Sequence, residues 1–281
     1  FNITVKIIFI ANLKYFLLTL FLGVIALSST GCASAPTGRV RDAHLLYDSG
    51  NAGGIQQSVG GAEIMAEVID GILIREVETK NIMTKSSLPV GGYSVNPYVG
   101  CTHACKYCYA SFMKRFTGHT EEWGTFLDVK HWPEIKNPKK YAGQRVVIGS
   151  VTDGYNPQEE QFGNTRKLLK QLIGSDADIL ICTKSDLVVR DIDLLKKLGR
   201  VTVSWSINTL DENFKNDMDS ASSIERRISA MKQVYEAGIR TVCFVSPVFP
   251  GITDFEAIFE RVKDQCDLFW LENLNLRGGF K

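Results

Sequence analysis

The stretch Asn96-Pro97-Tyr98-Val99-Gly100-Cys101-Thr102-His103-Ala104-Cys105-Lys106-Tyr107-Cys108-Tyr109-Ala110 puts three thiols on one short loop. Thiolates in a Cys-x3-Cys-x2-Cys spacing can each hold one iron of a cubic 4Fe-4S cluster. The fourth iron then has no protein ligand. A metal position left open is what chemistry requires, whereas a structural site is closed by a fourth ligand. The same thiols admit a second reading, in which Cys101, Cys105 and Cys108 join His103 or His119 around zinc in a binding module without catalysis. Zinc knuckles usually carry two Cys-x2-Cys pairs, and this sequence has no second one.

The chain beyond residue 145 supplies elements able to position such a loop. Residues 146–148, 178–182, 201–207, 241–245 and 268–271 are rich in Val, Ile and aromatics and read as buried parallel strands. Amphipathic helices are expected between them. Leu168, Leu169, Leu172 and Ile173 form one apolar stripe; Ile192, Leu195 and Leu198 form another, stopped by Gly199. A third joins Ile224, Ile228, Met231 and Tyr235, opened by a capping box Ser222-x-x-Glu225 and closed at Gly238. Phe255, Ile258, Phe259 and Val262 follow Thr253-x-x-Glu256. Strand-helix alternation of this kind means β-α units and a parallel sheet covered by helices. With residues 93–97 as the first strand the count is six, and the cysteine loop follows that strand directly. In α/β barrels reactive residues lie where strands end and loops begin. No helical pattern follows the sixth strand, so the carboxyl end is expected to be truncated or completed by a partner.

Cys101, Cys105 and Cys108, with aromatic Tyr107 before the last, match the signature of the radical S-adenosylmethionine (SAM) superfamily, which the chain resembles over residues 72–281. The resemblance implies an α/β fold, a partial (β/α)6 TIM-type barrel, preceded here by a non-barrel N-terminal extension. It also implies a 4Fe-4S cluster and SAM as cofactors. The open iron chelates SAM, and an electron from the cluster yields methionine and a 5′-deoxyadenosyl radical that abstracts hydrogen. An external electron donor of flavodoxin or ferredoxin type is implied. Asn-Pro-Tyr-x-Gly-Cys, Thr152-Asp153, Thr183-Lys184-Ser185, Ser206-Ile207-Asn208 and Glu225-Arg226 further resemble the spore photoproduct lyase-like branch, the DNA repair photolyase-like proteins. Carried over, this implies SAM contacts from Tyr107, Thr152, Asp153, Lys184, Ser206 and Asn208. A carboxylate at Asp153 suits the SAM ammonium and a lysine at 184 its carboxylate. Ser206 and Asn208 suit ribose or methionine groups. The turn Ser246-Pro247-Val248-Phe249-Pro250-Gly251 would line the adenine side.

One departure bears on substrate. A spore photoproduct lyase carries a further Cys a few dozen residues after the cluster, and no Cys lies between Cys108 and Cys182. Repair of thymine dimers by that route is therefore not expected. The absence of Gly-Gly-Glu after the second strand argues against most peptide-modifying and cofactor-building branches. The chain is also similar to paired radical SAM proteins of mobile elements, which implies a second radical SAM protein as partner. The expected substrate is a nucleic acid or nucleotide, with a peptide or small molecule as the alternative.

Composition sets outer bounds. The chain has 281 residues, 44% hydrophobic, and can bury a full core. Seven cysteines at irregular spacing make no disulfide framework, and Cys182, Cys243 and Cys266 lie in apolar surroundings where a thiol acts as a small hydrophobe. A cluster needs a reducing compartment, which points to the cytoplasm. Residues 1–32 contradict this. Lys6 and Lys14, an uncharged run over 15–27 and Ser28-Ser29-Thr30-Gly31-Cys32 describe an export signal, or a lipoprotein-like anchor if genuine. The first Met is Met65, so the enzyme is expected to span 65–281 without membrane association, after a fusion or over-extended segment 1–32 and a linker 33–64. Without residues 1–64, 28 basic and 28 acidic residues remain, no global design for nucleic acid. One local patch, Lys130, His131, Trp132, Lys136, Lys139, Lys140, Tyr141 and Arg145, interleaves cations with rings and suits a phosphate backbone with stacked bases.

Overall fold

A computed structural model describes residues 9–10, 55–59, 62–86 and 92–274. Among them the strands are β1 (Phe9–Ile10), β2 (Ile55–Val59), β3 (Ala62–Ile69), β4 (Ile72–Glu78), β5 (Thr84–Lys85), β6 (Tyr93–Val95), β7 (Tyr98–Val99), β8 (Phe126–His131), β9 (Arg145–Ile148), β10 (Asp178–Thr183), β11 (Arg200–Ser206), β12 (Arg240–Val248) and β13 (Leu268–Asn273). The helices are α1 (Lys114–Thr117), α2 (Glu159–Phe162), α3 (Asn164–Leu172), α4 (Ile192–Leu195), α5 (Glu212–Met218), α6 (Ile224–Glu236) and α7 (Phe255–Val262).

The six strands expected from sequence, β6, β9, β10, β11, β12 and β13, lie parallel and in chain order. Their alternating side chains explain the architecture. Val146, Ile148, Ile179, Ile181, Val203, Trp205, Cys243, Val245, Phe269 and Leu271 join the helix stripes in one large core. The intervening positions face the other way, where Val242, Phe244 and Trp270 pack together with Leu268. A strand buried on both faces needs this near-continuous apolar run. The sheet stays open, with β5 antiparallel at one edge and β1 parallel to β13 at the other.

A second sheet, ordered β2-β3-β4-β8-β7, was not expected. Residues 55–59 and 62–69, which straddle the expected linker-core boundary, pair as its hairpin. The first barrel strand also stops earlier than expected. After Val95 the chain turns at Asn96-Pro97, and Tyr98–Val99 pairs with β8 in the second sheet. Pro97 has no N–H to give to the ladder, so a break there fits. Tyr98 is buried, and its hydroxyl donates to Glu159, which also accepts from Thr165 N at 2.8 Å and Arg190 Nη2 at 2.7 Å. The segment entering the cysteine loop is thus clamped to the helical layer.

Both expected capping boxes are displaced by one residue. Ser223 caps α6 by accepting from Arg226 N, and Asp254 caps α7 by accepting from Ala257 N. Ser222 instead donates to Asp186 Oδ1 at 2.6 Å, and Thr253 donates to the Asn208 carbonyl at 2.9 Å. Each hydroxyl is taken by the neighbouring loop. Among the described residues no helix is long and apolar enough to cross a membrane. The export-signal expectation, Phe9–Ile10 apart, and most of the linker lie outside the described residues.

Candidate functional site

The cysteine loop lies at the carboxyl end of β6 and is tied down from several sides. Gly100 enters it with φ +85°, and a Cβ there would stand 2.4 Å from the Phe126 carbonyl oxygen, so only glycine fits. The Gly100 carbonyl accepts from Thr152 Oγ1, and Thr102 Oγ1 donates to Gln158 Oε1 at 2.6 Å. Ser220 N donates to the His103 carbonyl at 2.8 Å, and Lys106 N to the Met218 carbonyl at 2.9 Å. Replacing Gly100 by Ala should therefore displace the loop from β8. The backbone strain alone costs about 1–3 kcal/mol. A lowered urea midpoint together with reduced iron uptake checks this.

The three thiols are neighbours. Cys101 and Cys105 are buried and Cys108 is half-buried, all in the free form. Burial pushes the Cys101 thiol well up, and nearby Asp153, Cys105 and Cys108 push it further. Cys105 is pushed up to about 12 by burial, against the pull of the Lys184 ammonium. Protons stay on such thiols until a metal displaces them.

Of the two histidines of the zinc reading, His119 is held through both ring nitrogens, whereas His103 engages one and leaves Nδ1 without a hydrogen-bond partner among the described residues. His103 Nε2 sits 3.1 Å from Asp153 Oδ2. His119 is buried between Glu121 Oε2 and Asp128 Oδ1, each 2.9 Å away, with its ring stacked on Phe126. Among the described residues no three His, Cys, Asp or Glu side chains are grouped to hold one metal ion. Three thiols each serving a separate iron fit this arrangement better than four ligands around one ion. A further fit is the indole N–H of Trp123, buried and without a hydrogen-bond partner among the described residues, beside the Cys108 sulfur.

Asp153 is already saturated. It accepts from Thr183 Oγ1 at 2.9 Å, Tyr155 N at 2.9 Å and Lys184 N at 2.7 Å, besides meeting His103. Burial alone would raise its pKa, but His103 and the two amides outweigh it and hold the carboxyl below its usual range. As folded, Asp153 and Thr152 fasten the loop to the ends of the second and third barrel strands, Thr152 through its donated hydroxyl and Asp153 through a carboxylate that already meets four partners.

Lys184, half-buried at the end of β10, brings its Nζ 5.6 Å from the Tyr107 ring centroid. Burial would lower its pKa, yet Cys105 and Asp219 hold it above the ordinary value. Tyr107 packs edge-on against Phe249 and donates its hydroxyl to Asp219 Oδ2 at 2.9 Å. Ser206 ends β11 with its carbonyl accepting from Arg227 Nη1 at 3.1 Å. Asn208 is buried with its Nδ2 unpartnered among the described residues. Lys184 and Ser206 thus stand at the carboxyl ends of two adjacent parallel strands, Asn208 follows the second, and Tyr107 of the cysteine loop meets Lys184.

Several residues escaped the sequence reading. Asp219 accepts from Arg227 Nη2 at 2.7 Å, lies 3.5 Å from Lys215 Nζ and holds Tyr107. Arg227 offered a signal, since it falls on the apolar stripe of α6 one turn after Ile224. Cys182 is half-buried, not a core hydrophobe; it alternates with Ile181 and Thr183 onto the inward face, in register with Ser204. Its thiol is pushed up to about 12 by burial, with Asp153 and Glu272 adding and Lys184 opposing. Glu272, inward on β13, accepts from Ser246 Oγ at 2.6 Å, and burial raises its carboxyl.

Folding takes both rings out of the basic patch and engages part of its charge, leaving Lys136, Lys139 and Lys140 exposed. Trp132 and Tyr141 are core residues, 6% and 2% exposed, so neither ring can stack on a base. Lys130 donates to the Asn96 carbonyl at 2.9 Å, His131 meets Glu76 at 2.9 Å and Arg145 pairs with Asp178 at 2.8 Å.

The family model of the Radical SAM superfamily matches residues 95–262. The chain belongs to that superfamily. A protein of Methanocaldococcus jannaschii is 38% identical to this radical SAM chain over 209 residues, 74% of the chain and 80% of the relative. A protein of Pseudomonas phage M6 described as radical SAM Nalpha-GlyT isomerase is 26% identical over 62% of the chain and 36% of that protein. Among solved structures, spore photoproduct lyase with bound AdoMet and dinucleoside spore photoproduct superposes with a TM-score of 0.57 at 17% identity, over 73% of this chain and 64% of the lyase chain. That likeness is one of fold and bears out the partial α/β barrel. The chain spans less than two thirds of the phage protein and of the lyase.

Proposed function

We propose that this radical SAM chain is an enzyme that holds a 4Fe-4S cluster on Cys101, Cys105 and Cys108 and cleaves SAM reductively. One observation carries the reading: a single pinned loop gathers three thiols at the carboxyl mouth of a six-stranded parallel sheet, with the Lys184 ammonium in their field. Cys101, Cys105 and Cys108 would hold the cluster, which when bound would supply the electron for reductive cleavage of SAM and so the radical chemistry of hydrogen abstraction.

The chain's own groups divide the remaining work. Lys184 meets the SAM carboxylate, for which a half-buried ammonium kept charged is suited. The unclaimed amide of Asn208 and the hydroxyl of Ser206 take ribose or methionine oxygens. Tyr107, fixed by Asp219 and Phe249, walls the cluster from solvent. Asp153 and Thr152 act through the loop as positioning residues. The substrate in this reading is a nucleic acid or nucleotide, supported by the fold shared with a lyase that binds a dinucleoside photoproduct. A peptide or small molecule is the second reading, since fold and substrate are separable. A flavodoxin- or ferredoxin-type donor supplies the electron, and a second radical SAM protein is a candidate partner.

The test is anaerobic reconstitution with iron and sulfide, followed by dithionite and SAM. Formation of 5′-deoxyadenosine is expected, and DNA or nucleotides should accelerate it more than peptides do. A colourless protein that carries one equivalent of zinc through purification in air, and makes no 5′-deoxyadenosine, would overturn the reading.

A further inference from the structure

Trp123 belongs to none of the motifs read from the sequence, yet it is built against the cysteine loop. Its turn, closed by Thr125 N donating to the Glu122 carbonyl at 3.2 Å, presses onto that loop. The neighbouring Gly124 has φ +104°, and a Cβ there would stand 2.4 Å from the Ala104 Cβ. Below, the Trp123 ring stands edge-on to Phe126 at 5.8 Å, and Phe126 in turn underlies Gly100 and stacks on His119. The indole is therefore gripped between β8 and the loop, with little freedom to turn its N–H elsewhere.

That N–H is buried and has no hydrogen-bond partner among the described residues. Leaving a buried donor unpaired costs about 1–3 kcal/mol, so such a group calls for an explanation. The sulfur of Cys108 lies beside it. A neutral thiol is a weak acceptor. An iron-bound thiolate carries the charge that a donor of this kind seeks.

We infer that Trp123 is a positioning residue for the cluster, donating its indole N–H to the Cys108 thiolate and raising the reduction potential of the site. The inference rests on the proposal that Cys101, Cys105 and Cys108 hold a 4Fe-4S cluster. Hydrogen bonds to cluster sulfurs and solvent exposure both set such potentials. A donated N–H stabilises the reduced, more negative state, so its removal lowers the potential. Admitting water to the space vacated by a smaller ring acts in the opposite direction. The sign of the change therefore separates a lost hydrogen bond from a loosened fit.

The experiment compares the reconstituted wild type with Trp123→Phe and Thr125→Val by potentiometric titration followed by EPR. Trp123→Phe keeps an aromatic ring and removes the donor. Thr125→Val perturbs the same turn, where Thr125 Oγ1 donates to the Glu122 carbonyl at 2.9 Å, and keeps the indole. Trp123→Phe should shift the ratio of reduced to oxidised cluster toward oxidised by up to about tenfold at a fixed potential, which is ~59 mV for one electron. Thr125→Val should leave the ratio unchanged. An unchanged or raised potential in Trp123→Phe, with iron content equal to wild type, overturns the role given to Trp123. Failure of the wild type itself to take up iron and sulfide removes instead the cluster proposal on which it rests.

Discussion

Substituting Ala for any one of Cys101, Cys105 or Cys108 should abolish SAM cleavage while leaving the apo-protein folded. Each thiol is expected to serve a different iron, so one loss opens a second corner of the cluster to solvent. Changing a mere outer partner of a metal ligand costs about 10–100-fold in affinity or activity. Loss of a ligand should exceed that, bringing 5′-deoxyadenosine to background. The fold should tolerate the change, because without metal these are neutral thiols, two buried and Cys108 half-buried, and removing one vacates little volume. Iron content, visible absorbance and product analysis measure the first effect, and thermal melting of the apo-proteins measures the second. A brown variant that still cleaves SAM would sink the assignment of that cysteine. A variant that loses both cluster and fold would show the thiol to be structural.

The barrel was legible because its signal is strong and local. Runs such as Val146-Val147-Ile148 and Ile179-Leu180-Ile181 have no other stable home than a doubly covered strand, and all six strands were found in the expected order, the first ending two residues early. The cysteine loop was legible for the same reason, since spacing within one turn of chain determines what three thiols can reach. What failed was everything set by contacts between distant segments. Ser222 and Thr253 have good capping chemistry, but the Asp186 side chain and the Asn208 carbonyl claim them first, and the next residue caps instead. Lys130, His131 and Trp132 read as a basic surface because the pairing of β8 with β4 and β7 is invisible from composition. Cys182 was assigned to the core because an apolar run does not reveal which of its alternating positions faces inward. The part Asp153 plays in holding the loop was hidden because its four donors come from residues up to 50 positions away in sequence.

Asp219→Ala should be the most destabilising single change near the site, and its cost should depend on pH. Asp219 is 4% exposed and faces Arg227, 1% exposed, at 2.7 Å, with Lys215 at 3.5 Å and the Tyr107 hydroxyl at 2.9 Å. Removing the carboxylate leaves a buried guanidinium whose remaining acceptors are the Ser222 and Ser206 carbonyls. Breaking a buried pair from one side costs about 3–5 kcal/mol. Replacing both Asp219 and Arg227, by Ala and Met, should cost less than the sum of the two single changes, which a double-mutant cycle in urea would measure. Burial raises the Asp219 pKa, but Arg227, Lys184, Tyr107 and Lys215 outweigh it, so the folded value lies below the ordinary one. A depressed folded pKa means that the stabilisation is fully present above the unfolded value, about 3.9, and is lost as pH falls through the folded one. The gap between wild type and Asp219→Ala should thus be constant from pH 7 down to about 4 and narrow below that. A gap under about 1 kcal/mol, the range of an exposed ion pair, would show that the buried charges find other partners. A gap that does not narrow in acid would show that it is packing, and not the carboxylate charge, that ties Tyr107 of the cysteine loop to Arg227.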